Sequence, residues 1–314
     1  MGRFQFVVKR LLLTIPLLLG IVLLVFLVLK MTPGDPARQI VGLRATETQL
    51  NEVRDQLGLN DPIAVQYVRY VGRVLHGDLG YSYKSLQPVR TSIAERLPVT
   101  LWLLGFGGLL AMLISVPCGI LSALHPNRAT DHVIRALGLV GLTMPSFWVG
   151  IVLILVVALP TGLFPAGGFG QTVPEHLRSI VLPAVTLAIS VAPIQIRSLR
   201  ASLINVRGSD YVATGRAMGL SESRLMRRFV LRNASPPTIS VLALNMGFLL
   251  FGAVVIETTF ALPGIGQGIV LAARGRDLPA IQGYTLLFAV LVVAVYLVAD
   301  IVTAVLDPRV EIQA

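Results

Sequence analysis

Residues 209–235 read Ser-Asp-Tyr-Val-Ala-Thr-Gly-Arg-Ala-Met-Gly-Leu-Ser-Glu-Ser-Arg-Leu-Met-Arg-Arg-Phe-Val-Leu-Arg-Asn-Ala-Ser, a polar island between two long apolar runs. Ser209 and Asp210 predict a helix start, with a side-chain oxygen accepting backbone N–H groups that the first turn leaves without partners. Gly219 marks that helix's end in a left-handed residue. A second helix is expected from near Ser221 to just before Pro236-Pro237. Its apolar face is Leu225/Phe229 and Met226/Val230 at i, i+4, with Arg224, Arg227, Arg228 and Arg232 interleaved. Two short helices joined at a glycine are expected to project from one side of a membrane. An amphipathic helix lying on an anionic membrane face would also use the four arginines, but it explains neither Gly219 nor the capped first helix.

Composition sets the class around this island. Apolar residues make up 54% of the 314-residue chain and charged residues 13%, with a formal net charge of +10 and a mean hydropathy of +0.78. Soluble domains carry roughly 25% charge, so this reads as an all-α polytopic membrane protein. Its basic balance fits the positive-inside bias of membrane loops and not a nucleic-acid partner. The single Cys118 excludes an internal disulfide.

Working outward, six spans are expected, at 11–29, 97–124, 136–158, 179–196, 237–256 and 278–299. The chain divides into an N-terminal transmembrane helix (1–31), an extracytoplasmic segment (32–96) and a five-helix core (97–314) containing a cytoplasmic loop at 205–235. The 32–96 segment is read as helical because Leu50, Val53, Leu57 and then Val65, Val68, Val71, Leu75 recur at helical intervals. In the third span Pro145 predicts a kink, and Thr161 to Arg178, rich in Gly and Pro, predicts a loop. Lys and Arg gather at the N-terminus, the 125–135 turn, the 205–235 loop and Arg309, whereas the short opposite loops hold Arg178, Arg274 and Arg276. That asymmetry places both termini and the loop in the cytoplasm.

The chemistry of a resident enzyme is not visible. There is no Gly-x-x-x-x-Gly-Lys-Ser/Thr phosphate loop and no His-Glu-x-x-His, and Gly264, Gly266 and Gly268 read as a turn. No cofactor or metal ligand set is expected on this chain. Glu257 and Asp300 close the fifth and sixth spans, where a carboxylate is expected to be solvated or paired with arginine. They also define a rival reading, a proton-coupled secondary carrier.

The motifs resemble those of permease subunits of bacterial ABC importers of the dipeptide, oligopeptide and nickel class. They are Asp210-Tyr211-Val212, Thr214, Arg216-Ala217, Gly219-Leu220-Ser221, Leu231-Arg232-Asn233-Ala234 and Pro237. Pro33-Gly34-Asp35-Pro36, Leu57-Gly58-Leu59, Gln66-Tyr67, Gly77-Asp78-Leu79-Gly80, the Pro145-Ser146-Phe147-Trp148 run, Glu257-Thr258-Thr259-Phe260, Pro263-Gly264-Ile265-Gly266 and Asp307-Pro308-Arg309 extend the likeness over nearly the full length. Gly215, Met218 and Ser235-Pro236 depart from the family pattern. The resemblance implies that Asp210, Tyr211, Val212, Ala213, Thr214, Gly215, Arg216, Ala217 and Gly219 form a coupling helix that docks on an ATPase. It implies Pro145, Ser146, Phe147 and Glu257 as a candidate path. Implied partners are a second homologous permease, two ATPases holding ATP and Mg, an extracytoplasmic binding protein and membrane lipid. The implied place is the bacterial inner membrane, and the implied cargo is di- or oligopeptides, with nickel chelates and glutathione as other members of the class.

Overall fold

The computed structural model describes residues 3–31, 36–41, 45–56, 58–82 and 84–306. Pro33-Gly34-Asp35, Leu57 and Asp307-Pro308-Arg309, all quoted above for the resemblance, lie outside the described residues. In chain order the elements are α1 (Arg3–Met31), α2 (Pro36–Val41), α3 (Glu47–Gln56), α4 (Ile63–Leu75), β1 (Tyr81–Ser82), β2 (Gln87–Pro88) and α5 (Val89–Leu124). There follow α6 (Ala129–Thr143), α7 (Ser146–Leu153), a π-helical turn (Ile154–Ala158), α8 (Leu159–Thr161), α9 (Val173–Arg207) and α10 (Asp210–Ala217). The last are α11 (Glu222–Leu225), a second π-helical turn (Met226–Val230), α12 (Leu231–Thr259), α13 (Ile265–Gly275) and α14 (Leu278–Leu306).

Among the described residues, four helices hold stretches long and apolar enough to cross a bilayer: Arg10–Val28, Val89–Leu124, Val173–Arg207 and Leu278–Val302. A fifth candidate is the pair α6 and α7–α8, bent by 102° at Met144-Pro145. Pro145 therefore breaks the third apolar run outright where a kink was expected. Met144 and Pro145 are both extended, and the new helix starts after the proline, as the restriction on a residue preceding proline favours. The apolar stretch Gly247–Thr259 of α12 is shorter.

Two compact units are present. One comprises Met1–Arg10, Thr100–Leu262 and Ala294–Ala314, and α9 is its core. Ile180, Ala184, Leu187, Ala188 and Leu203 are all buried, and α9 packs on α12, α6 and α7. Small residues allow the close approaches. A methyl at Gly107 or Gly119 would strike Leu187 or Leu199, and one at Gly141 would sit 3.1 Å from the Ile189 carbonyl, the acceptor that Pro193 leaves without its helical donor.

The expected loop at Thr161 to Arg178 ends early, because α9 starts at Val173. Thr172 and Glu175 form a reciprocal capping box, and Pro174 fits the first turn. Nor does the second short helix stop at Pro236-Pro237, since α12 runs through both. Pro236 cannot donate to the Arg232 carbonyl, and the Ser235 hydroxyl does so instead at 3.0 Å.

The other unit, Leu11–Val99 with Pro263–Val293, confirms helices in the long hydrophilic segment but with a different inner face. Against Phe26 the Tyr67 ring is tilted and the Tyr70 ring stacked, with centroids 5.6 and 5.8 Å away. Val65, Val68 and Leu75 are exposed, because the two larger aromatic rings take the packed side of α4. Gly266 and Gly268 lie inside α13 and not in a turn. Gly268 leaves room for Arg96 and Tyr284.

Candidate coupling site

Helix α10 is short, and its sequence decides which side it buries. Val212 is 1% exposed and packs with Ala123, Leu199, Leu203, Val230 and Ala234. Gly215, also buried, lies one turn on, where a methyl would meet Leu225 and Leu220. The remaining predicted coupling residues, Asp210, Tyr211, Ala213, Thr214, Arg216, Ala217 and Gly219, are exposed, and Met218 is 77% exposed. One stripe thus holds the helix down while Tyr211, Thr214 and Met218 form an outward strip with i, i+3 and i, i+7 spacing.

The two ends of α10 differ in how far they were legible. At the C-terminus Gly219 has φ +80°. Its N–H donates to the Arg216 carbonyl at 3.0 Å, and the Leu220 N–H donates to Gly215 at 3.1 Å. That pair of bonds is a Schellman motif, as the glycine predicted. At the N-terminus the expected side-chain cap is not made. The Ser209 hydroxyl donates back to the Val206 carbonyl at 2.6 Å, which its placement two residues after the end of α9 favours over the next helix's N–H groups. Ser221 does cap α11, accepting from the Arg224 N–H at 3.4 Å. Arg216 donates to Glu222 across the glycine, and that hydrogen bond holds the Glu222 carboxyl below its usual range. Leu225 and Val230 are buried, and Arg224, Arg227, Arg228 and Arg232 point outward, as the i, i+4 pattern required.

The base on which α10 stands rests on a residue the sequence reading undervalued. By sequence, Asp131 stands in a short turn between Arg128 and Arg135. In the structure it lies on the first turn of α6, 0% exposed. Arg200 of α9 donates to it through Nε at 2.8 Å and Nη2 at 2.7 Å. The Ser122 hydroxyl and the Asn127 N–H complete its shell, while Arg135 stays 3.8 Å away. One turn-pair along α9, Arg207 donates to the Ala123 carbonyl at 2.9 Å, and Ser202 donates to Ala234 at 2.9 Å. The last two turns of α9 are therefore braced to α5, α6 and α12 before the chain enters α10. A solitary acid between apolar runs was the available signal, but its partner lies 69 residues away.

The candidate path residues do not share one environment. Pro145 and Ser146 open α7, and Phe147 is 49% exposed beside Trp148. Glu257 is 0% exposed and accepts from the Thr100 hydroxyl at 2.7 Å. Of the expected alternatives the solvated carboxylate is not found: Glu257 is buried, because the chain folds back over it. Leu262 N–H donates to the Glu257 carbonyl at 2.8 Å, and Phe260 and Leu262 are buried. Asp300 behaves as expected, 3.3 Å from Arg10. No cluster of three metal-ligating side chains occurs among the described residues.

Comparison with known proteins places the chain. The sequence profile described as "Binding-protein-dependent transport system inner membrane component" matches residues 115–312, and that of the corresponding N-terminal region matches 3–104. The oligopeptide transport system permease protein AppB of Bacillus subtilis (strain 168) is 37% identical over 98% of this chain and 99% of its own length. The glutathione transport system permease protein GsiC of Salmonella paratyphi A is 38% identical with the same coverage. The probable D,D-dipeptide transport system permease protein DdpB of Escherichia coli (strain K12) is 36% identical over 93% of each. Among solved structures, a chain of the inward-facing MetNI methionine ABC transporter matches with a TM-score of 0.58, over 69% of this chain and 96% of that one, at 16% identity. At that identity the likeness is one of fold.

Proposed function

Since this chain belongs to the family of inner membrane components of binding-protein-dependent transport systems, we propose that it moves di- or oligopeptides inward by alternating access and that α10 couples it to an ATPase. It is a transport subunit, and the family's use of ATP lies with partner ATPases. The observation that carries the coupling reading is the pairing of a held and an open face on α10. Val212 fixes the helix to a braced α9 and Gly215 sits close against Leu225, while Tyr211 and Met218 stay exposed. An apolar strip on a charged, membrane-adjacent helix matches a protein groove better than water.

Six spans follow in this reading if α6 with α7–α8 counts as one and α12 as another. Both termini and α10 then face the cytoplasm, and the second permease, two ATPases and a binding protein complete the importer. The names of the relatives favour peptides and glutathione as cargo class. They also weigh against the proton-coupled carrier, as does the engagement of Asp300 with Arg10 and of Glu257 with Thr100.

The test is cross-linking and uptake in one preparation. With Cys118→Ser as background, cysteine at Ala213 should cross-link to a cysteine series on the ATPase, and peptide uptake into proteoliposomes should stop with vanadate. Uptake that persists with vanadate and collapses with a protonophore would instead establish the carrier.

A further inference from the structure

Helices α6 and α9 run antiparallel, with Asp131 beside Arg200, Gly138 against Pro193 and Gly141 against Ile189. Between them lies a groove of about 480 Å³. Its composition is graded along its length. At the end where α6 begins it is lined by His132, Arg135, Arg197 and Arg200. Toward the other end the lining becomes Leu139, Leu142 and Pro193, over a floor where Gly138 contributes no side chain.

The charges at the basic end do not balance. Arg200 is consumed by Asp131, whose oxygens also accept from Ser122 and Asn127. Arg135 reaches Asp131 only at 3.8 Å and is half-exposed. Arg197 is exposed, and no carboxylate lies within ion-pair distance of it among the described residues. Three arginines against one aspartate leave two positive charges at the mouth of an apolar trough. The α6 surface flanking the trough is apolar as well, with Val133 55%, Leu137 67% and Val140 45% exposed.

We propose that this groove binds one anionic phospholipid, its phosphate held by Arg135 and Arg197 and an acyl chain laid over Gly138 toward Leu142. Basic recesses between transmembrane helices at the cytoplasmic face suit such headgroups, and the inference rests on the reading that this end faces the cytoplasm. A free inorganic anion would use the arginines but leave the apolar length empty. A zwitterionic lipid would bring a cation to a mouth that offers no free carboxylate for it.

The experiment uses the whole importer complex, purified and delipidated in detergent, with phosphatidylglycerol as probe and native mass spectrometry to count retained lipid. Wild type should keep one phosphatidylglycerol in preference to phosphatidylcholine. Arg135→Gln with Arg197→Gln should lower that retention at least tenfold, and Gly138→Leu, which fills the floor and leaves the charges, should lower it too. Arg197 is exposed, so Arg197→Gln alone tests the headgroup contact in an intact fold. The proposal fails if the variants retain as much lipid as wild type, or if millimolar inorganic phosphate displaces the lipid, which would mark a soluble-anion site. It also fails if a cysteine at Leu139 cross-links to the second permease, which would mark a protein interface. Sidedness is read separately, by thiol labelling of Ala213→Cys, so an error in topology is distinguishable from an error about the lipid.

Discussion

Gly219 sits at φ +80°, and a methyl built there meets nothing within 4 Å, so a larger residue loses backbone freedom and not space. A β-branched side chain resists that left-handed angle by about 1 to 2 kcal/mol. Gly219→Val should therefore open the Schellman turn and re-aim α10 while the protein remains in the membrane. Uptake should be lost, with poor recovery of the ATPase on copurification or ATP turnover deaf to the loaded binding protein, whereas Gly219→Asn, which tolerates the angle, should retain most transport. Normal uptake by the valine variant would remove α10 from the coupling role. Asp131 makes the contrasting case, because its worth lies in a distant partner. Asp131→Ala leaves Arg200 partly buried beside an empty site, and breaking such a pair costs about 3 to 5 kcal/mol. The thermal midpoint of the purified complex should fall accordingly, and Asp131→Leu with Arg200→Met should recover most of the loss. Gly219 was legible because its reason is local, a helix end that needs one backbone angle. Asp131 was not, because nothing in the 125–135 stretch names Arg200.

Among elements, the α9–α12 seam is where buried polarity remains unexplained by neighbours. Ser202 meets Ala234, and Leu187 meets the space at Gly252, so the two helices run antiparallel, with Gln195 on one and Asn245 on the other along the intervening stretch. Both side chains are buried, and among the described residues neither Gln195 Nε2 nor Asn245 Nδ2 has a hydrogen-bond partner. An orphaned amide donor of this kind costs about 1 to 3 kcal/mol. Gln195→Met keeps length and volume and removes the donor, so it should raise stability by about 1 kcal/mol, read as a higher thermal midpoint in detergent. A lower midpoint would show that the amide finds a partner in the assembled complex. Periodicity exposed the long apolar helices, yet it could not locate the ends of α9 and α12. Thr172-x-x-Glu175 starts α9 by side-chain reciprocity, and Ser235 lets α12 pass through two prolines by answering the Arg232 carbonyl. Hydrophobicity alone carries neither signal. The same blindness turned Pro145 from a break into a kink, since an apolar run reads alike whether its helix continues or bends by 102°.

For the whole molecule, the decisive constraint is that relatives match along 98% of the chain while no phosphate loop occurs within it. In the proposed reading the energy of transport enters through another protein, and the purified chain alone should show no ATP turnover above a blank. Turnover in a preparation free of other subunits would contradict the importer assignment. Sidedness is the remaining global property, and it follows from charge and not from packing. Lys and Arg near short loops resist translocation, while a long segment crosses largely regardless of its charge. The basic residues around α10 and the 125–135 turn should therefore stay inside, although the segment 32–96 carries eight Lys and Arg of its own, against seven acids. Two exposed residues report this directly, Asn60 before α4 and Ala213 on α10. In a Cys118→Ser background, Asn60→Cys should react with a membrane-impermeant thiol reagent on intact spheroplasts, and Ala213→Cys should react only after lysis. Labelling in the opposite order would invert the protein and place α10 where no ATPase can reach it. Labelling of both on intact cells would mean an even number of crossings between them in place of the expected three. Only the expected order lets the braced end of α9 deliver the motion of a cytoplasmic partner to the spans.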